Sequence, residues 1–221
     1  MMDKKITEEI DRFEKMVEEY GKNKNVKEEE FKKDNQSIVD LIVKHLKNTN
    51  NGNDKDIEVA YCKWATSQYE LGHYEYGKRI ENNLRDIIKG VFCDENKGIK
   101  VDDHSKNKMG DIIIEKNDKE KMVIEVKSYV DDTKSPQSIS ALTKRRDELK
   151  DKGYEYVVFA LYNLDKKIYE IGKYIKDWMY LVKYREKVNG KYEYKCIWER
   201  PEYPEYYPFN NLIQSIKNFL N

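Results

Sequence analysis

Hydrophobic residues recur at helical spacing in the first part of the chain. Apolar positions three or four residues apart predict amphipathic helices, and these cover residues 5–20, 28–46 and 59–90. The segment from Asn48 to Asp56 contains almost no apolar residue and predicts a loop. Gly90 predicts the end of the last helix, because glycine commonly follows a final helical turn. The N-terminal part is therefore predicted to be helical.

The pattern changes to short apolar runs after Gly90. They predict strands at residues 91–93, 99–101, 111–115 and 122–126, a helix at 138–152, and a closing helix at 209–220. The run Tyr156 to Tyr162 (YVVFALY) is almost continuously apolar, which is typical of a buried central strand. Asn189-Gly190 lies between two arms rich in Tyr, Val and Lys and predicts a β-hairpin.

Composition narrows the class of protein. The 221 residues carry 42 basic and 42 acidic side chains, and this balance argues against bulk electrostatic coating of nucleic acid. Residues 134–200 nevertheless hold 16 basic and 10 acidic side chains, so positive charge is concentrated in the C-terminal half. Three widely spaced cysteines disfavour a disulfide framework and a structural zinc site. Without a long apolar run or a signal sequence, we expect a soluble, cytoplasmic protein that makes no membrane contact.

Candidate chemistry lies in two strand-like runs joined by a polar turn. If the turn is centred on Asp118, Asp111 lies opposite Glu125, and Lys127 shares their face of the sheet. Two adjacent carboxylates repel unless a cation lies between them, and carboxylates without clustered Cys or His favour Mg²⁺, with Mn²⁺ as a substitute. Lys127 would orient a water molecule and stabilise charge on a phosphoryl group. The set predicts a phosphodiester hydrolysis site.

The alternative is a surface charge cluster on the rim of a hairpin. Glu-x-Lys also occurs at Glu30, Glu95, Glu148 and Glu193, so the tripeptide alone carries almost no information. The copy at Glu125 differs because it lies in an apolar strand and follows a Gly-Asp strand at hairpin distance. These surroundings favour the active-site interpretation.

With these residues the chain resembles the PD-(D/E)xK nuclease superfamily, which includes type II restriction endonucleases and many repair nucleases. Roughly residues 75–165 are covered, and Gly110 stands where the motif has proline. The resemblance implies an α/β fold with a restriction-endonuclease-like αβββαβ core, a central mixed sheet flanked by helices. It implies that Asp111, Glu125 and Val126 bind the metal. It further implies that Lys127 is the catalytic lysine and that an in-line attack leaves a 5′-phosphate.

Many members of the superfamily also have a glutamate on the helix before the first core strand. Glu81 is the matching residue here, so the resemblance adds it to the metal-binding and catalytic set. The alternative for Glu81 is an ion pair with Lys78 or Arg85 on the helix surface.

Two basic segments are candidate DNA contacts. Lys144 and Arg145 belong to the helix that follows the catalytic strand, where phosphate contact is expected. The predicted hairpin carries Arg185, Lys187 and Lys191 interleaved with tyrosines, as nucleic-acid surfaces do. An amphipathic ribbon packed on the core is the alternative interpretation of the hairpin.

The sequence thus predicts an N-terminal helical region at 1–56, a nuclease core at 57–172, and a C-terminal hairpin and helix at 173–221, packed on the core as one domain. We expect a Mg²⁺-dependent DNA endonuclease. The leading expectation is a type II restriction endonuclease that cuts a short double-stranded site as a homodimer, with a cognate methyltransferase encoded nearby. The alternatives are a structure-specific repair or junction-resolving nuclease and a non-catalytic DNA-binding module that retains the nuclease fold.

Overall fold

The computed structural model describes residues 4, 6–8, 10–12, 15, 28–48, 55–67, 73–94, 97–103, 110–131, 138–163, 177–203 and 206–221. The chain divides into two compact units, Met1–Cys93 and Asp94–Asn221. In the described residues the first unit is helical and the second contains a six-stranded mixed sheet with helices, so the protein is of the α/β class. The unit boundary falls within the predicted core region 57–172, and that functional division stays a prediction.

Three helices form most of the described N-terminal unit. They are α1 (Glu28–Asn48), α2 (Lys55–Ser67) and α3 (His73–Phe92). Each helix buries an apolar stripe, and the predicted stripe of α3 is confirmed for Ile80, Leu84, Ile87 and Ile88. The described residues between 4 and 15 are also helical, as predicted, and the remainder of the predicted 5–20 helix lies outside the described residues.

The predicted end of α3 is wrong. The described part of the 59–90 region is helical, as predicted, and belongs to α2 and α3, but α3 continues through Gly90 to Phe92, where the sequence predicts a strand at 91–93. A Cβ atom on Gly90 would lie 2.8 Å from Cγ2 of Val43 on α1. Gly90 therefore permits close packing of two helices instead of ending one. Nearby, Asn35 and Asn83 exchange amide hydrogen bonds of 2.7 and 3.2 Å between the same helices.

The C-terminal unit is built on one sheet with its strands in sequence order. They are β1 (Ile99–Asp103), β2 (Ile112–Lys116), β3 (Glu120–Val130), β4 (Glu155–Asn163), β5 (Met179–Val188) and β6 (Lys191–Cys196). The first three strands form an antiparallel meander, β3, β4 and β5 are parallel, and β6 returns antiparallel to β5. Helix α4 (Ile139–Lys150) connects β3 to β4, because parallel neighbours require a crossover.

The hairpin of β2 and β3 has the predicted register. Asn117 and Asp118 adopt φ values of 53° and 57°, which these two residue types tolerate better than most. Ile112 consequently lies opposite Ile124, and the pairing continues to the turn. The prediction that this turn brings the Asp111 and Glu125 segments together is confirmed at the level of the backbone.

The hairpin of β5 and β6 is also confirmed. Asn189 and Gly190 both have positive φ, 50° and 83°, as a two-residue turn of this type requires. Val188 is therefore paired with Lys191, and the register continues to Cys196 opposite Lys183. Because this register is regular, alternate residues of both strands share one face of the sheet.

Strand β4 lies inside the sheet, as its apolar run predicts, and its residues 156–161 are at most 5% exposed. Helices α4 and α5 (Pro208–Leu220) cover opposite faces. Tyr180 of β5 hydrogen-bonds Ser215 of α5, whereas Arg146 of α4 lies over the Trp178 ring on the face that bears Tyr156. None of the helices in the described part of the chain combines the length and apolar character needed to span a bilayer.

Candidate active site

Asp111 is the residue immediately before β2, and two hydrogen bonds hold it against β3. Its N–H donates to the Ile124 carbonyl at 3.0 Å, and its Oδ2 accepts from the Val126 N–H at 2.7 Å. These two partners flank Glu125 in the chain, so Asp111 lies beside Glu125. The carboxylate replaces a main-chain acceptor at the end of the strand pairing, where a buried N–H needs a partner.

Lys127 brings its ammonium group to both carboxylates. It follows Glu125 by two residues on β3 and therefore shares its face. Its Nζ donates to Glu125 Oε1 and lies 3.9 Å from Asp111 Oδ2. The side chains of Asp111, Glu125 and Lys127 are 22%, 18% and 20% exposed. Each is thus screened from most solvent yet reachable from it, and the structure brings the three predicted residues together.

Burial has the largest effect on the Glu125 carboxyl and raises its pKa. The Lys127 charge opposes this effect, the Asp111 charge adds to it, and Arg145 of α4 lowers the pKa again. The net direction is upward, so the attraction of Lys127 does not compensate for desolvation and for the second carboxylate. The charged form of Glu125 is therefore less favourable here than in water.

A second lysine–glutamate pair on the same face provides a comparison. Lys121 of β3 donates to Glu115 of β2 at 2.5 Å, and the two side chains are 19% and 20% exposed, almost the same as Lys127 and Glu125. The hydrogen bond to Glu115 raises the pKa of Lys121. Among the described residues Lys121 forms an ion pair with one carboxylate, whereas Lys127 contacts two. The second carboxylate distinguishes the candidate site from an ordinary ion pair.

Gly110 packs closely against β3 beside Glu125. A Cβ atom at this position would lie 2.3 Å from Cγ1 of Val123 and 3.6 Å from Oε2 of Glu125. Val123 is fully buried and its branched side chain has little freedom to move away. Any side chain at Gly110 would collide with the core, which accounts for glycine at this position.

Tyr156 is a site residue that the sequence analysis missed. It is paired with Val123 across β3 and β4, so it shares the face of Glu125, and it is 5% exposed. Burial, followed by the charge of Glu125, raises its pKa. Its hydroxyl has no hydrogen-bond partner among the described residues, an arrangement that is costly unless water, an ion or a ligand meets it. In the sequence, Tyr156 is recognisable only as the first residue of the apolar run at 156–162.

The donor set fits Mg²⁺ better than a transition metal. In the described part of the chain, no group of three or more His, Cys, Asp or Glu side chains is placed to hold a metal ion. Asp111 and Glu125 supply two carboxylates, and Val126 can add only its carbonyl oxygen. Mg²⁺ usually binds through one or two carboxylates and keeps several waters, so this small set of oxygens suits it. The unpartnered Tyr156 hydroxyl is consistent with an additional polar ligand.

Glu81 belongs to α3 in the N-terminal unit. Its carboxylate accepts a hydrogen bond from Lys78 Nζ at 2.7 Å, and its side chain is 14% exposed. The ion pair considered as the alternative is therefore present. The role of Glu81 as a metal ligand and catalytic residue stays a prediction from the resemblance.

The predicted DNA contacts separate into distinct places. Lys144 is exposed on α4, and Arg145 on the same helix is close enough to lower the pKa of Glu125. Strand alternation puts Arg185 and Lys187 on the face of Glu125, while Lys191 falls on the opposite face. DNA binding by these residues stays a prediction.

No protein family, curated protein or solved structure matches the chain.

We expect Gly110→Ala to destabilise the protein by about 1–3 kcal/mol, because its methyl group would overlap Val123 in a packed core. Val123→Ala removes the colliding atom, so the double variant should lose less stability than the two single variants combined. Urea unfolding of the four proteins measures this coupling. Additive losses would show that the space at Gly110 is not limited by Val123.

We expect Glu125→Gln to change how stability depends on pH. The raised pKa means that the folded protein keeps the Glu125 proton above the ordinary value of 4.5. The folded state then binds more protons than the unfolded state, so this group lowers stability as pH rises through that range. Relative to the Gln variant, the wild type should lose stability between about pH 4.5 and the raised pKa. Urea unfolding in EDTA tests this, and a relative gain by the wild type would contradict it.

Proposed function

We propose that the protein is a Mg²⁺-dependent endonuclease that hydrolyses DNA phosphodiester bonds, with Asp111, Glu125 and Lys127 in its active site. The observation that carries the proposal is the contact of one lysine with two partly buried carboxylates, one of which has a raised pKa. A purely structural ion pair needs only one carboxylate, as Lys121 and Glu115 illustrate.

Asp111 would hold the metal with the oxygen that its structural role leaves available. Both of its side-chain contacts with described residues involve Oδ2. Glu125 and the Val126 carbonyl complete the set of protein oxygens. Bound Mg²⁺ would polarise a phosphoryl oxygen and lower the pKa of a coordinated water.

Lys127 would stabilise the negative charge that develops on the phosphoryl group and orient the attacking water. Its position on β3, where it is paired with Ala160 of the buried strand β4, gives it a rigid base. Tyr156 adds a buried hydroxyl on the same face, available as a donor to a water or a phosphate oxygen. Neither residue needs to form a covalent intermediate.

The order of elements supports the same proposal. Along the chain, α3 precedes the three-stranded meander, and α4 then leads to a strand parallel to β3. This is the αβββαβ order that the resemblance implies, and we assign it to a nuclease core as part of the proposal. The proposal covers two kinds of enzyme, a type II restriction enzyme acting as a homodimer and a structure-specific nuclease. The two differ in substrate rather than in chemistry.

We expect the purified protein to cut DNA in Mg²⁺ or Mn²⁺ and not in EDTA. Lys127→Ala should reduce the rate by about 10²–10³-fold, the usual effect of losing a donor to developing charge. Lys121→Ala is the matched control, because it breaks an ion pair of equal exposure on the same strand face and should keep the activity. Rates are measured on lambda DNA, single strands and branched duplexes.

Discrete fragments from intact lambda DNA would support the restriction enzyme, and cutting confined to branched DNA would support the structure-specific nuclease. Equal activity of Lys127→Ala and wild type would contradict the role of Lys127. Failure of the wild type to cut any of these substrates in either metal would contradict the proposal as a whole.

A further inference from the structure

The face of the sheet that carries Glu125 and Lys127 continues as an aromatic and basic surface. Tyr129 follows Lys127 by two residues on β3 and is paired with Tyr162 on β4. Tyr162 is in turn paired with Lys183 on β5. Since paired residues and alternate residues share a face, these side chains lie on the same side of the sheet as the candidate site.

The same face extends across the last hairpin. Arg185 is paired with Tyr194, and Lys187 with Tyr192. The ring centroids of Tyr162 and Tyr194 are 5.0 Å apart, and the Arg185 guanidinium carbon lies 4.5 Å from the Tyr192 ring centroid. These contacts join β4, β5 and β6 into one surface. We call it the tyrosine strip; its residues are Tyr129, Tyr162, Arg185, Tyr192 and Tyr194.

The strip exposes rings where a core would bury them. Tyr192 and Tyr194 are each 45% exposed and are the exposed large hydrophobic side chains of the described residues. The strip crosses from β3 to β6, which is about 14 Å for three strand spacings. It therefore offers several ring surfaces in a row that begins beside Lys127.

The charge on this surface is not neutralised by neighbouring side chains. Lys183, Arg185 and Lys187 form no ion pair with any residue in the described ranges, and the Arg185 Nε has no hydrogen-bond partner there. On the opposite face of the same hairpin, Lys195 is paired with Glu186 at 2.6 Å. The face that bears the strip is thus positive, while on the other face of the hairpin the charge of Lys195 is neutralised by Glu186.

Exposed tyrosines beside unpaired cations match the chemistry of an unpaired nucleic-acid strand. Its bases stack on aromatic rings and guanidinium planes, and its phosphates meet the cations. An intact duplex keeps its bases stacked inside and presents no free base face to a sheet surface. We infer that the tyrosine strip binds an unpaired DNA segment next to the site at Lys127. This inference rests on the proposed function for the identity of the nucleic acid.

Binding to fluorescein-labelled DNA of about 12 nucleotides, measured by anisotropy in EDTA, tests the inference without cleavage. The wild type should bind the single strand more tightly than the blunt duplex of the same sequence. The Tyr192→Ala/Tyr194→Ala variant should bind the single strand about 30-fold or more weakly, because each of the two lost stacking contacts is worth about fivefold or more. Tyr192→Phe/Tyr194→Phe should keep the affinity, since the ring rather than the hydroxyl makes the contact.

Lys187→Ala and Lys195→Ala form a matched pair on the two faces of the hairpin. We expect the first to weaken binding and to reduce its dependence on salt, and the second to change neither. Unfolding midpoints establish that the variants are folded. Unchanged affinity of the double Ala variant, an equal loss in the double Phe variant, or preference for duplex would overturn the inference. So would an altered oligomeric state of the double Ala variant without a change in DNA affinity.

The outcomes separate this inference from the proposed function. If DNA binding depends on the tyrosine strip but the wild type cuts no DNA in Mg²⁺ or Mn²⁺, the nuclease proposal is contradicted and the inference of a DNA-binding surface is supported. Cleavage that depends on Lys127, together with unchanged binding by the strip variants, would support the nuclease and overturn the strip.

Discussion

The hydrogen bond from the Val126 N–H to the Asp111 carboxylate determines how the candidate site is assembled. The pairing of β2 with β3 ends at Ile112, and the chain beyond it would leave this N–H without a strand acceptor. Asp111 supplies the acceptor from its side chain and is thereby held beside Glu125. Oδ2 accepts the backbone hydrogen bond and is also the oxygen nearest the Lys127 ammonium group. The structural and chemical roles of Asp111 are for this reason inseparable, because any change that frees the carboxylate also frees the backbone.

Burial leaves the charge of Glu125 incompletely stabilised. Asp111 and Glu125 share Lys127, and Arg145 contributes from α4 at a distance that lowers the pKa of Glu125 without reversing the effect of burial. A proton on Glu125 would relieve this imbalance, and so would the divalent cation of the proposed function, so the two would compete for the site. The neutral pair of Lys121 and Glu115 has no such imbalance. This contrast, rather than the Glu-x-Lys tripeptide, is the reason for placing the candidate site at this end of β3.

Local sequence was sufficient to predict the features that depend on a single turn. Asn117-Asp118 and Asn189-Gly190 define their hairpins because few other residues accept positive φ, and the first turn alone brings Asp111 to Glu125. The prediction that Gly90 ends a helix is wrong because Val43, the residue it packs against, is distant in sequence. Packing between helices, rather than helix termination, explains the glycine. Tyr156 was missed for a related reason. Its place beside Glu125 depends on β3 and β4 being parallel neighbours, and no short-range signal encodes that pairing.

The order of the strands brings together two features that are separate in the sequence, the acidic hairpin of β2 and β3 and the basic, aromatic hairpin of β5 and β6. The acidic hairpin and the basic, aromatic hairpin are separated along the chain by β4, and either face of the second could have been turned toward the site. The observed registers put Arg185, Tyr192 and Tyr194 on the face of Lys127 and send Lys191 to the other side. A ring-bearing surface beside the proposed hydrolytic site accommodates bases only where they are unstacked from a partner strand. For the nuclease proposed here, this geometry favours selection by local strand separation over the reading of base edges in an intact groove, where donors and acceptors rather than ring faces are recognised.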